Sequence, residues 1–177
     1  TIEQNKDKGM GVTVYLGQDR HIRRGNASTS DFSQQALRDT VDAAYNIARF
    51  TAEDDCAGLP DADTLEMQPL DLQLCFPWLI SAEEAVEIAK RGEAAAFAVD
   101  KRITNSEGAG VYAQQSHFVV ANTRGFMGGY PYSRHTISVA PIAGKGANMQ
   151  RDDWYSSARD SNKLAQPEAI GTYAAQR

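Results

Sequence analysis

The chain is poor in the residues from which self-contained active sites are usually built. It holds two cysteines and three histidines in 177 residues. Cys56 and Cys75 lie far apart with no CxxC spacing, which leaves neither a disulfide framework nor a zinc knuckle. They read as two buried thiols in a reducing compartment. His21, His117 and His135 are isolated and none precedes a glutamate, so no two of them sit one helical turn apart as a zinc helix requires. All three are expected to be ordinary surface or sheet histidines. A Gly-x-Ser-x-Gly elbow is missing. Gly125-Phe-Met-Gly-Gly129 is glycine-rich but lacks the spacing and the strand-to-helix setting of a dinucleotide loop.

Positive charge is also short. Eighteen Lys and Arg against 23 Asp and Glu give a net charge of -5 and a pI near 5.2, which counts against a direct nucleic-acid partner. No apolar run approaches the ~18–20 residues of a membrane span, and Thr1-Ile-Glu-Gln-Asn5 does not read as a signal peptide. Asn26-Ala-Ser28 matches a glycosylation sequon without a secretory context. The expectation is a soluble, cytoplasmic protein with no membrane partner. A hydrophobic share of 42% and a charged share of 23% are those of an ordinary globular chain. The length fits one domain, so residues 1–177 are taken as a single α+β domain.

What is present is a clear pattern of elements. Met10, Val12, Val14 and Leu16 alternate on one face of a strand. Gly17-Gln-Asp-Arg20 turns the chain, and His21 to Ala27 returns it as a hairpin. Ser33 is a plausible N-cap for a helix to about Phe50. Leu37, Val41, Ala44, Tyr45 and Ala48 form its apolar stripe. Residues from Thr51 to about Pro69 read as an acidic, irregular connection, followed by a brief alternation over Leu70–Leu74 and an anchor at Phe76-Pro-Trp78. Ser81-Ala-Glu-Glu84 is a capping box. It opens a second helix with Ala85, Ile88, Ala89, Ala96 and Val99 on one face, ending near Asp100. Strands are predicted over 111–121, 125–132, 134–140 and 149–158, with Asn122-Thr-Arg-Gly125 and Ala143-Gly-Lys-Gly146 as turns. Pro167 starts a short third helix. Short turns between consecutive strands give an antiparallel meander with two long helices packed on one face, an α+β fold.

Few of the polar clusters point to chemistry. Neighbouring strand residues face opposite sides, so Asp152 and Asp153 do not readily share one substrate. Glu53-Asp54-Asp55 reads as a solvated loop cluster, and Arg20, His21, Arg23 and Arg24 as a solvated hairpin end. Asp100 to Gly110 is expected to be a hinge or a cleft-shaping loop. Lys101 and Arg102 suit the negative end of the preceding helix, which leaves Asn105, Glu107 and the Gly108/Gly110 pair without a structural account. Ser133-Arg-His-Thr136 groups polar side chains along one strand. The glycines at 125, 128 and 129 suit turns and bulges, or a sheet edge offered to an extended peptide.

Asp100-Lys-Arg-Ile-Thr-Asn-Ser-Glu-Gly108 resembles a segment of the PmbA (TldE) type within the TldD/PmbA peptidase family, historically called modulators of DNA gyrase. Gly11-Val-Thr-Val-Tyr15, Gly25-Asn-Ala-Ser-Thr-Ser-Asp31, Ala48-Arg-Phe-Thr51, Asp55-Cys-Ala-Gly58, Ser133-Arg-His135 and Met149-Gln-Arg-Asp152 resemble further pieces in the family's order. The resemblance implies most of the N-terminal domain of a larger protein, whose C-terminal half is absent here. Thr1 and Arg177 fit that reading, one just before a strand and the other a little over two turns into an apparent helix. It also implies a hetero-oligomer that cleaves unfolded peptides, matures microcin-type peptides and removes antitoxins. The family's zinc site is a His-Glu-x-x-x-His helix with later ligands in the TldD-type subunit, and nothing here matches it. No catalytic or metal residue is therefore carried over and no cofactor is expected in this chain. Asn105, Glu107, Gly125, Gly128, Gly129 and His135 stand as candidate peptide-binding or cleft-lining positions. The expected partners are a TldD-like subunit, a second copy and unfolded peptides. The alternative is a free-standing α+β module that binds proteins through a sheet edge; a hydrolase with its own Ser/His/Asp site is the third reading.

Overall fold

Two serines set where the long helices begin. In the computed structural model, which describes residues 1–68 and 70–177, helix α1 (Gln34–Phe50) starts at Ser33, whose hydroxyl accepts from the Ala36 amide at 3.3 Å. Helix α2 (Ala82–Phe97) starts at the Ser81 capping box. The Ser81 hydroxyl accepts from Glu84 N–H at 3.1 Å and the Glu84 carboxylate accepts from Ser81 N–H at 2.8 Å. Two of the orphan donors of that helix end are thus satisfied reciprocally. A ten-residue helix, α3 (Pro167–Gln176), has proline in its first turn, where a missing N–H costs nothing.

Contacts divide the chain into two compact units, Thr1–Glu66 and Met67–Arg177, where length alone predicted one domain. The acidic connection is the reason. Between Thr51 and Gln68 it carries only a two-residue strand and one 3-10 turn, Ala62–Thr64, and its predicted end at Pro69 lies outside the described residues.

In the first unit, β1 (Met10–Leu16) and β2 (Ile22–Thr29) form an antiparallel hairpin registered from Met10↔Thr29 to Leu16↔Arg23, and β3 (Glu53–Asp54) adds to the outer side of β2. Helix α1 packs on this sheet through only part of the predicted stripe, Ala44 and Ala48. Thr40, Ala44 and Ala48 are buried, whereas Val41 and Tyr45 are each 46% exposed. The cause lies on the strand. A Cβ at Gly25 would overlap the Ala44 carbonyl and the Ala48 backbone, so the helix lies too close for anything but small side chains.

In the second unit, β4 (Ile103–Ala121) and β5 (Met127–Ala143) form one long hairpin, paired from Ile103↔Ala143 to Ala121↔Met127. Strands β6 (Gln150–Arg151) and β7 (Trp154–Ala158) pair along β5. Ile137 and Val139 of β5 pack with Ala96 of α2 and Ile170 of α3, with Trp78, Ile88, Ala109, Val111 and Leu164 around them. Helices α2 and α3 touch backbone to backbone, since a Cβ at Gly171 would overlap the Gly92 carbonyl.

The α+β class, the antiparallel pairing and the short third helix stand as expected. The strands fall into two sheets, with one long helix in each unit. From Ile103 the Asp100–Gly110 segment is the first half of β4 rather than a hinge or loop, with only Asp100–Arg102 in a turn, and β5 runs unbroken through Ser133. Leu70–Leu74 forms no strand, and Val99 lies beyond the end of α2. No helix among the described residues is long and apolar enough to cross a membrane.

Two measurements test this packing. Gly25→Ala is expected to lower unfolding stability by about 1–3 kcal/mol through overpacking, while Val41→Gln stays within about 0.5 kcal/mol; the reverse order in urea titrations would place the buried face wrongly. Arg91 joins α2 to α3 by a two-pronged bond to Glu168, at 2.6 and 3.0 Å. Its guanidinium holds the Glu168 carboxyl below its ordinary 4.5. That contribution is complete above pH 4.5 and is lost as pH falls through the lowered value. Glu168→Gln should therefore show a shallower loss of unfolding midpoint between pH 5.5 and 3 than the parent chain.

Candidate interaction site

Strand alternation carries Ser133, His135, Ile137 and Val139 of β5 to the buried face, so the polar pair continues the apolar core. Ser133 is fully buried and its hydroxyl works three ways. It accepts from Phe76 N–H at 2.8 Å, lies 2.7 Å from the Arg159 carbonyl as donor, and sits beside the Leu74 carbonyl, which accepts Ser133 N–H at 3.0 Å. The His135 Nε2 donates to the Phe76 carbonyl at 2.8 Å, which fixes the tautomer because a carbonyl can only accept. Its Nδ1 is buried with no partner, and Trp78 stands edge-on to the ring at 5.5 Å. Together these bonds hold Leu74–Trp78 alongside β5 where a strand would otherwise lie. His135 is therefore a latch inside the unit, not a lining of an open cleft. Cys75 borders this segment half-buried and Cys56 is exposed, so the thiols are not the buried pair expected.

At the start of β4 the polar side chains close on their own backbone. Asp100 accepts from Arg102 N–H at 2.8 Å and from its guanidinium at 3.0 Å, and is held below the ordinary carboxylate range by that arginine. The Asn105 side-chain oxygen accepts from Ser106 N–H at 2.9 Å, and the Ser106 hydroxyl accepts from Gly108 N–H at 2.8 Å. These bonds build two register shifts, between Ile103 and Asn105 and between Ser106 and Gly108. Glu107 pairs with Arg151 at 2.6 Å. In the first unit Glu53 is not simply solvated. It bonds His21 at 2.9 Å and Arg23 at 3.1 Å, the histidine first in lowering its pKa. Asp54, Asp55 and Cys56 cluster in the open, and the Asp55 charge pushes the Cys56 thiol up, away from a reactive thiolate.

Past Gln115 and Ser133 the β4–β5 ladder outruns its core and continues to the tip as two strands. The turn at 122–125 is closed by Asn122 N–H to the Phe126 carbonyl at 2.9 Å and by Gly125 N–H to the Asn122 carbonyl at 3.2 Å, with Gly125 at φ 86. The other two glycines have packing reasons. A Cβ on Gly129 would overlap the Phe118 carbonyl, and one on Gly128 would press on the Phe126 ring. Phe118, Val119, Val120 and Met127 are exposed, Met127 at 74%. No described residue pairs with the outer edge of β4. Gly129 lies opposite Val119, whereas Glu107 lies by the Ser106↔Pro141 pair, roughly 40 Å away at ~3.4 Å per residue. The six candidate positions thus separate into a bulge region (Asn105, Glu107), a buried latch (His135) and a hairpin tip (Gly125, Gly128, Gly129). The open edge itself went unread, although its signal was present: from Ala109 to Thr123 the sequence has no Asp, Glu, Lys or Arg. A shallow cleft of about 360 Å³ lies between Trp78, Ile80, Glu84, Ile88 and Arg91, with Arg91 already committed to Glu168.

Two linked α+β units, one bearing a long hairpin, define the class, and comparison with known proteins places it. Residues 76–177 match the family model for the PmbA/TldA metallopeptidase central domain, and residues 1–48 match that for PmbA/TldA metallopeptidase domain 1. The chain belongs to the PmbA/TldA metallopeptidase family. Metalloprotease PmbA of Escherichia coli O157:H7 is 40% identical over 176 residues, 99% of this chain and 38% of its own length. A Metalloprotease PmbA homolog of Haemophilus influenzae is 36% identical over 176 residues with the same coverage of each. The chain thus spans about two-fifths of the length of these relatives. Among solved structures, TldE from Thermococcus kodakarensis matches at TM-score 0.66 and 18% identity, over 94% of this chain and 36% of that one. A candidate modulator of a DNA gyrase from Thermotoga maritima matches at 0.64 and 20%, over 94% and 36%. At those identities the two structures speak for the fold alone.

The latch is testable. Ser133→Val leaves the Phe76 N–H and the Arg159 carbonyl without their partner, a loss of about 1–3 kcal/mol. Cleavage of the 70–78 segment by a protease under native conditions should speed up in that variant, whereas Ser30→Val, at an exposed position, leaves it unchanged.

Proposed function

We propose that this chain is a non-catalytic part of a PmbA-type subunit in a cytoplasmic, two-component peptidase assembly. A TldD-type partner supplies the zinc, and unfolded peptides, including peptides for maturation and antitoxins for removal, are the substrates. The observation that carries this reading is family membership through both units, together with the way the candidate catalytic groups are engaged. His135 is spent on the Phe76 carbonyl, His21 on Glu53, Glu107 on Arg151 and Asp152 on Arg177. Each of these groups is already engaged by a neighbour, His135 by backbone and the others by an acidic or basic side chain. In this reading the glycine-bearing β5 side of the hairpin tip, Gly125 to Gly129, is where an extended peptide runs, through main-chain hydrogen bonds.

The exposed hairpin favours a second reading, a protein-interaction module with no peptidase partner. One experiment separates them. Incubated with zinc and dialysed, the chain alone is expected to hold no stoichiometric metal and to leave an unfolded peptide intact. Immobilised, it should retain a TldD-type subunit from the same cell. Stoichiometric tight zinc in the chain alone would overturn the non-catalytic role, and failure to retain the TldD-type subunit would leave the interaction module.

A further inference from the structure

We propose that the uncovered face of the β4–β5–β7 sheet, centred on Arg134, docks a peptide segment that carries one carboxylate beside apolar side chains. Helices α2 and α3 cover the Ile137 and Val139 side of β5. Alternation turns Tyr130, Tyr132, Arg134 and Thr136 to the other side, and the register sets Phe118, Ser116, Gln114 and Tyr112 of β4 opposite them. Thr136 donates to the Ser157 hydroxyl at 3.0 Å, so β7 joins the same face. This side is open: Tyr112 is 63% and Phe118 48% exposed, and Arg134 is exposed as well.

The recognition group is a free guanidinium at the end of a stripe of rings. Arg91, Arg102, Arg151 and Arg177 of the same unit each hold a carboxylate, at 2.6 to 3.0 Å. Arg134 has no such acceptor among the described residues, and its neighbours across and along the strands, Gln114, Ser116 and Thr136, bring amide and hydroxyl groups only. Phe118 and Tyr130 lie 5.7 Å apart between ring centroids, and Tyr130 and Tyr132 lie 6.2 Å apart. The stripe ends about 7 Å from Arg134, one pleat along β5. A planar, permanently charged fork takes a carboxylate in two parallel bonds. Apolar side chains flanking that carboxylate would lie on the rings.

Charge selects the occupant. From Ala109 to Ala140 the chain carries Arg124 and Arg134 and no Asp, Glu or Lys, although its net charge is -5. The hairpin is thus a positive island on an acidic protein, and on its open face one guanidinium balances one carboxylate. A nucleic-acid strand brings a charge with every nucleotide and draws its affinity from several cations at once. A lipid surface needs a basic cluster for the same reason. A second copy would set two acid-free faces against each other, each with its arginine, which opposes like charges. A peptide with a lone carboxylate meets none of these costs.

Docking on this face needs neither zinc nor a TldD-type subunit, and it uses side chains rather than the main chain of the hairpin tip, so it stands or falls apart from the peptidase reading. The test is fluorescence anisotropy at low salt, with a labelled peptide in which leucines and one glutamate alternate with serine. Saturable binding is expected. Glutamine in place of that glutamate, or Arg134→Gln in the chain, should each weaken it about tenfold or more. The two changes together should cost no more than either alone, which marks a direct pair. Arg134→Lys keeps the charge without the fork and should fall between. Phe118→Ser should weaken the glutamate and glutamine peptides by the same factor, because the rings read the leucines. Absence of saturable binding overturns the proposal, as does equal binding of the two peptides or a Phe118→Ser variant that binds both as the parent does. Tighter binding of a thymidine oligonucleotide or of phosphatidylserine vesicles that Arg134→Gln abolishes assigns the face to phosphate and overturns it. A dimer in sedimentation that Arg134→Gln alters assigns the face to a second copy, with the same consequence.

Discussion

The antiparallel ladder between β4 and β5 is the constraint on which the larger unit depends. Every other piece of that unit is fastened to β5: β7 along His135–Val139, β6 at Ile142 and Ala143, and the 74–78 segment through Ser133 and His135. Helices α2 and α3 cover the Ile137 and Val139 side. A strand with a partner on each edge and a helix layer on one face has little freedom left, whereas β4 has only β5 for an edge partner. Among the described strands of this unit, the open backbone of β4 thus lies on one known edge.

Both units solve the packing of helix on neighbour in the same way. Gly25 admits Ala44 and Ala48, and Gly171 admits Gly92. Small residues bring backbones close, and dispersion between closely spaced main chains replaces the interdigitation of large side chains. The consequence is an inversion on α1. Its large apolar residues, Val41, Tyr45, Ile47 and Phe50, end up exposed while alanines are buried. Such a face is not where the sheet's stability resides, because the buried contacts are set by the residues that are absent at Gly25 rather than by the large ones present.

That inversion marks the limit of what the sequence could tell. Signals carried within a few residues were legible: Ser33 and the Ser81/Glu84 box as helix starts, Pro167 as a third, Asn122-Thr-Arg-Gly125 as a tight turn. Signals that depend on a distant element were not. Periodicity finds the apolar stripe of α1, but the close approach at Ala44 and Ala48 depends on a missing Cβ on β2, at Gly25. Asp100–Gly110 suggests a hinge or a cleft-shaping loop after a helix end, with no local sign of a strand. Two bulges interrupt it, and pairing with β5 carries the strand through them. Glu53 is exposed as expected, but only the fold shows that His21 and Arg23 reach it. The family resemblance, by contrast, needed no geometry, since it rests on short segments read in order, and the matches over residues 1–48 and 76–177 bear it out.

The candidate site was half legible for a related reason. Sequence reading looks for side chains, and here the conspicuous ones are consumed. Asn105 and Ser106 build bulges, Asp100 closes a helix end, Ser133 and His135 latch a neighbouring segment. After those assignments the unspent hydrogen-bonding capacity of β4 lies in its main chain, which a motif search cannot register because every residue type carries it. The sign it leaves in sequence is negative, a run from Ala109 to Thr123 without charge or proline. In a long edge strand that lack is informative, because an edge that faced only water would gain from a single lysine and lose nothing by it. An edge kept free of such protection is one that another backbone can reach.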